Sequence, residues 1–107
     1  MAGDRRGWAQ GMPGITSVFK ALSNPNRLQV FQVVCRAARR SKKGLSIEQI
    51  CRATGMKQPA VSHHVAHLER AGILTRTKSR WWVHCTPTPG GLAQVEKFCK
   101  DPAAENR

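Results

Sequence analysis

Three histidines, His63, His64 and His67, stand within the short stretch PAVSHHVAHLER. Imidazole can ligate a metal, move a proton near neutral pH, or hydrogen-bond to an outside partner. His63 and His67 are four residues apart, so on a helix they share a face with the spacing of a zinc pair. A metal needs further ligands, and no carboxylate or third ligand stands nearby in sequence, so no metal is expected. Catalysis needs a paired group. His84 and Cys85 are neighbours in a stretch that reads as a strand, so their side chains point to opposite faces and cannot act together. There are no clustered carboxylates and no glycine loop that would cradle a phosphate. The sequence is therefore not expected to be an enzyme, and no cofactor is implied. Hydrogen bonding to a partner remains for the histidines.

The other reactive side chains are Cys35, Cys51, Cys85 and Cys99, which form no Cys-x-x-Cys pair. Cys35 and Cys51 fall on apolar helix faces, where cysteine packs as a small hydrophobe. Cys99 lies beside Lys97 and Lys100, and nearby cations make a thiol more reactive. Cys99, with Cys85 or Cys35, is thus a candidate sensing thiol, and packing is the simpler reading for Cys35 and Cys51. With no secretory pattern in MAGDRRGWAQGMPG, the thiols are expected to be reduced and the chain cytoplasmic. No apolar run reaches the ~20 residues that cross a bilayer, so no membrane association is expected.

Charge narrows the partner. Lys and Arg number 18 against 6 acidic residues, for a formal charge of +12. Between Lys20 and Lys100 the only acids are Glu48, Glu69 and Glu96. A small domain so basic repels itself unless it meets a polyanion, and nucleic acid is the first candidate. The basic run Arg36, Arg39, Arg40, Lys42 and Lys43 fits phosphate contact as well as a solvated face.

The elements that must position these groups follow from periodicity. A chain of 107 residues allows one domain. We expect an arm over residues 1–13, a domain over 14–100 and a tail over 101–107. Ile15, Val18, Phe19 and Leu22 have the spacing of an amphipathic helix. Asn24 can cap a second helix, with Pro25 in its first turn; this helix is apolar nearly all round and should be central. Ser46 with Gln49 is a capping-box pattern opening a third helix that ends at Gly55. Pro59 opens a fourth, buried through Val61, Val65 and Leu68 and ended by Gly72. ILTRTKSRWWVHCT reads as two strands around a Lys78-Ser79-Arg80 tip. Trp81 and Trp82 should alternate, one in the core and one partly exposed. LAQVEKFCK supplies a last helix through Leu92, Val95, Phe98 and Cys99.

The fold expected is mostly α with a small β-hairpin, a winged helix-turn-helix in helix-helix-helix-helix-hairpin-helix order. In that arrangement the fourth helix enters the DNA major groove and the wing reaches the backbone or minor groove. With Val61, Val65 and Leu68 inward, steps of about 100° put Pro59, His63, Ala66 and Arg70 outward, Ser62 and His67 on the flanks and His64 near the buried stripe. His64 is then expected to be packed and hydrogen-bonded. The outer face is nearly free of acid and narrow enough for a groove about 12 Å wide.

At these residues the sequence resembles a family. ALSNPNRLQV, ICRATGMKQPAVSHHVAHLERAGIL and SRWWVHC are similar to the signature segments of ArsR/SmtB-type bacterial transcriptional regulators, over about residues 15 to 86. The resemblance implies a symmetric homodimer joined through the first and last helices, which represses a promoter and releases its double-stranded operator when an inducer binds. The inducer is unknown from sequence; the cysteines would suit a thiol-reactive or metalloid one. By the same analogy Gln58, Ser62 and His63 would contact bases or nearby phosphates, and Arg80 would lie on the wing. Lys57, Pro59, His67, Arg76 and Lys78 complete the expected DNA-binding set. Lys57 stands where the family often has serine, which weakens the helix cap and adds a positive charge near DNA. Metal-sensing members carry a Cys-x-Cys pair where this chain has Ser46 and Glu48, and a second metal site of Asp and His in the last helix, absent from LAQVEKFCK. A winged-helix adaptor that binds protein or RNA without operator preference is the alternative reading.

Overall fold

The structure is a computed structural model that describes residues 14–101. The expected N-terminal arm with Trp8, and the tail beyond Asp101, lie outside the described residues. Helix α1 spans Ile15–Leu22, α2 Pro25–Arg40, α3 Ile47–Thr54 and α4 Gln58–Arg70. Strands β1, Leu74–Ser79, and β2, Trp82–Pro87, form the hairpin, and α5 covers Ala93–Lys100. The element order matches the expected winged helix-turn-helix.

Local chemistry sets the helix ends. Asn24 Oδ1 accepts from the Arg27 backbone N–H at 2.9 Å, and Pro25 opens α2. That satisfies one of the donors a helix start leaves unpaired, and proline has no N–H to waste there. The capping box closes in both directions: Ser46 Oγ accepts from the Gln49 N–H at 3.1 Å, and Gln49 Oε1 from the Ser46 N–H at 2.9 Å.

Helix α2 is central, touching α1, α3, α4 and β2. It buries Val30, Phe31 and Val34, which meet Val18, Ile50, Val61, Val65, Leu68, Ile73, Leu74 and Cys85 in one core. Burial of such side chains, at about 1.5–3 kcal/mol each, is the dominant favourable term. Helix α1 is rotated from the expected stripe. It buries Ile15, Val18 and Ala21, while Phe19 remains 47 % exposed. Phe19 meets Phe98 of α5 edge-on instead, with ring centroids 6.3 Å apart.

The hairpin is antiparallel, with Leu74 opposite Pro87 and Ser79 opposite Trp82. Leu45 adds a short third edge: its N–H donates to the Cys85 carbonyl at 3.0 Å, and the Cys85 N–H returns a bond at 2.6 Å. Gly44 permits this approach, since a Cβ there would strike the Cys85 carbonyl oxygen, and its φ of +83° suits glycine. The expectation that one tryptophan joins the core is corrected. Trp81 is 86 % and Trp82 58 % exposed. Alternation buries a side chain only where the sheet rests on something. Leu74 and Cys85 sit on the core, whereas both tryptophans lie at the free end of the hairpin.

Candidate nucleic-acid interface

The turn between α3 and α4 is built from backbone and one hydroxyl. Gly55 caps α3 in the left-handed region at φ 77°, with its N–H on the Cys51 carbonyl at 2.8 Å. Thr54 Oγ1 donates to the Ile50 carbonyl at 2.8 Å and accepts from the Met56 N–H at 3.2 Å. The half-buried Met56 packs on the core beside the turn. This fixes the direction in which α4 leaves.

Helix α4 buries Val61, Val65 and Leu68 completely. Lys57, Gln58, Pro59, Ala60, His63 and Arg70 are exposed, and Ser62, Ala66 and His67 are half-buried at the edges. Lys57 makes no side-chain cap, and the first turn of α4 holds no acid. The N-terminal N–H groups of α4 therefore face outward unneutralised, a polarity that favours an anion. His64 lies toward the core, as the helical geometry requires, but its Nδ1 is buried without a hydrogen-bond partner. The expectation of a hydrogen-bonded His64 is corrected at that atom; its ring meets that of His63 edge-to-face, with centroids 5.8 Å apart. Burial, then the charge of Arg27 and then His63, hold the His64 pKa below the usual imidazole value. His67 is lowered by burial first and then by Arg27, Arg70, His63 and Lys20.

Arg27 is the residue that sequence reading missed. It is 9 % exposed, and its Nε donates to the Ala21 carbonyl while Nη2 reaches the Lys20 carbonyl at 3.4 Å. A cation thus closes the C-terminus of α1, where helix polarity favours it. In sequence it was one basic residue in a punctuating NPNR. The Leu45 bridge was equally hidden, being a single apolar residue before a cap.

On the wing, Lys78 and Arg80 are exposed, and Arg80 begins the two-residue loop with φ 54°. Arg76, expected to meet DNA, makes an ion pair with α4: its Nε and Nη2 lie 3.0 and 2.8 Å from Glu69 Oε1. That pair ties β1 to the end of the histidine helix. It also neutralises the only carboxylate on α4.

All four cysteines are free thiols. Cys85 is fully buried, and burial pushes its pKa up to about 11. Burial likewise raises half-buried Cys35, against a smaller lowering by Arg39. Cys99 is exposed on α5. Among the described residues no three His, Cys, Asp or Glu side chains are grouped so as to hold a metal ion, and no helix is long and apolar enough to cross a membrane.

A family model described as a helix-turn-helix domain matches residues 22–77, which run from the end of α1 to the middle of β1. Solved structures with the same fold include an ArsR-like transcriptional regulator from Rhodococcus sp. RHA1, 20 % identical with a TM-score of 0.71, over 84 % of this chain and 79 % of that one. Reduced HlyU from Vibrio cholerae N16961 is 22 % identical with a TM-score of 0.62, over 94 % of this chain and 96 % of its own. A homodimeric winged helix-turn-helix DNA-binding domain from Mycobacterium bovis, a possible ArsR-family regulator, is 22 % identical with a TM-score of 0.62, over 86 % and 80 %.

Proposed function

We propose that this chain, which belongs to the helix-turn-helix domain family and has the winged fold of ArsR-type regulators, is a dimeric repressor that reads a double-stranded operator with α4 and lets go when an inducer binds. The observation that carries this reading is the outer face of α4. It presents Gln58, Pro59, His63 and Arg70 to solvent, with Ser62 and His67 at its edges. Its one carboxylate is held by Arg76. Ser62, His63 and Gln58 would reach base edges; Lys57, the α4 N-terminus, Lys78 and Arg80 would hold phosphates, which position without specifying. Arg76 would act from its pair with Glu69, steadying the wing or exchanging that partner for a phosphate.

The dimer would form through α1 and α5. No residue of α5 is buried in the single chain, although it carries Val95 and Phe98 and follows Leu92. Val95 packs on the core, while Phe98 meets exposed Phe19 and Leu92 is also exposed; a second copy covering these would place two α4 helices on half-sites about one DNA turn apart. An inducer that reacts with thiols, or a metalloid, would meet Cys99 first, since Cys35 is half-buried and Cys85 fully so.

Footprinting on the DNA upstream of its own gene tests the reading. Ser62→Ala and His63→Ala should each reduce operator discrimination by about 1–3 kcal/mol, the worth of one good base contact, with the fold intact. Wild-type affinity and discrimination in both variants would remove α4 as the reader. Sedimentation showing monomer alone at micromolar concentration would remove the dimer.

A further inference from the structure

The hairpin has a second face that the operator reading leaves unused. Arg76 and Cys85 point from one face toward α4 and the core, so Thr77, Ser79, Trp82 and His84 lie on the other by alternation. That second face forms one wall of a groove of about 1120 Å³, whose opposite wall is the end of α2, the following loop and α3. Arg40, Lys42, Lys43 and Arg52 line it. Among the described residues its only acid is Glu48, which sits 3.5 Å from Arg52 on the same helix. Such an exposed pair is weak, and among the described residues it leaves Arg40, Lys42 and Lys43 in the lining without a carboxylate.

The aromatic wall is unusual for a surface. Trp82 is 58 % exposed, and its ring lies 6.3 Å from that of His84 at a shallow 34° tilt. Trp81 beside it is more exposed still. Packing therefore does not account for them, and adjacent exposed indoles mark an interaction surface. Cations along one wall and flat rings on the other match a phosphate chain bearing planar bases. The groove is larger than a pocket for one small ligand. An intact duplex offers its bases to a ring only after unstacking, at a few kcal/mol per step, whereas an unpaired strand offers them freely.

We infer that this groove binds single-stranded nucleic acid, with phosphates on Arg40, Lys42 and Lys43 and a base stacked on Trp82 and His84. The site is separate from the outer face of α4, so a strand can be held while α4 is occupied by duplex.

Fluorescence anisotropy of a labelled oligo(dT) of about ten nucleotides, with the full chain at low salt, tests this. Trp82→Ala should weaken binding about 5- to 150-fold, and Trp82→Phe should restore much of it. Replacing Lys42 and Lys43 together by alanine should lower the slope of log K against log salt by about 1.4, from ~0.7 per phosphate on a single strand. All these side chains are exposed at the surface, and circular dichroism checks that the variants fold. Ser62→Ala and His63→Ala should leave oligo(dT) binding unchanged, and Trp82→Ala should leave duplex binding unchanged. The inference is overturned if wild-type protein does not bind oligo(dT), if the groove variants bind it like wild type, or if Ser62 and His63 variants lose it instead. Operator footprinting is independent of all three results.

Discussion

Replacing Arg27 with methionine keeps a long unbranched stem and removes the guanidinium. The loss can be worked from its contacts. Arg27 is 9 % exposed and donates through Nε to the Ala21 carbonyl, with a longer contact from Nη2 to Lys20. A hydrogen bond from a charged donor contributes about 1.5–3 kcal/mol. The interaction of a cation with a helix C-terminus adds about 0.3–1 kcal/mol, and relief from burying a charge offsets a part of both. A net loss of about 2–3 kcal/mol is expected. In a domain of this size that lowers Tm by about 10–20 °C at fixed protein concentration, with the urea m-value unchanged. A second readout comes from the histidines. Arg27 helps hold His64 and His67 low. NMR titration of their ring protons should therefore show both pKa values higher in Arg27→Met. Arg27→Lys, which keeps the charge but not the Nε geometry, should recover the histidine values more fully than the stability. A loss below about 0.5 kcal/mol, together with unmoved histidines, would refute the assignment of Arg27 as the clamp between α1 and α2 that also acts on the α4 histidines.

Three further outcomes are expected. His64 and His67 have folded pKa values below 6.5, so between the folded and unfolded values the unfolded chain binds more protons. Stability should be full above about pH 6.5, fall as pH drops below it, and stop falling once the folded values are passed; urea midpoints across this range check the sign. Arg80→Gly fits a φ of 54° and keeps the loop while removing the charge, so it should flatten the salt slope of operator binding by about 0.9 per protomer; an unchanged slope would leave the wing without a phosphate contact there. Iodoacetamide with mass mapping should label exposed Cys99 well before Cys85, whose thiol is buried and pushed up to about 11; equal rates in the folded protein would contradict that burial.

Much of the fold was legible because burial and capping have a local grammar. The Asn24–Pro25 start, the Ser46–Gln49 box and the inward stripe of α4 are each set by residues no more than seven positions apart. What escaped was set by groups distant in the chain. Phe19 has helical spacing with Ile15 and Leu22, yet α1 seats Ile15, Val18 and Ala21 on the core and leaves Phe19 against Phe98, more than seventy residues away. Arg27 could be recognised as a clamp only once the end of α1 had been folded back over it. The Glu69–Arg76 pair joins two elements, so Arg76 looked in sequence like one more free cation on a basic hairpin.

The tryptophans fail differently, and that failure is informative. Alternation in a strand reports a core only if one lies beneath it, and the hairpin outruns its support between Leu74 and the tip. An indole left in water forgoes the burial that would stabilise it, by an amount comparable with a fully buried core side chain. A second exposed indole beside it repeats that loss. Two such residues at a hairpin end, of which Trp82 lines a groove whose cations meet one paired carboxylate among the described residues, are poorly explained by folding. Local sequence rules and the three-dimensional core agree on α4 and part company at the wing. Disagreement of this kind is expected where residues are kept for contact with a partner. The two proposed nucleic-acid contacts would thus differ in kind, one made by hydrogen bonds from the histidine helix in a groove and the other by stacking of an unpaired base on Trp82.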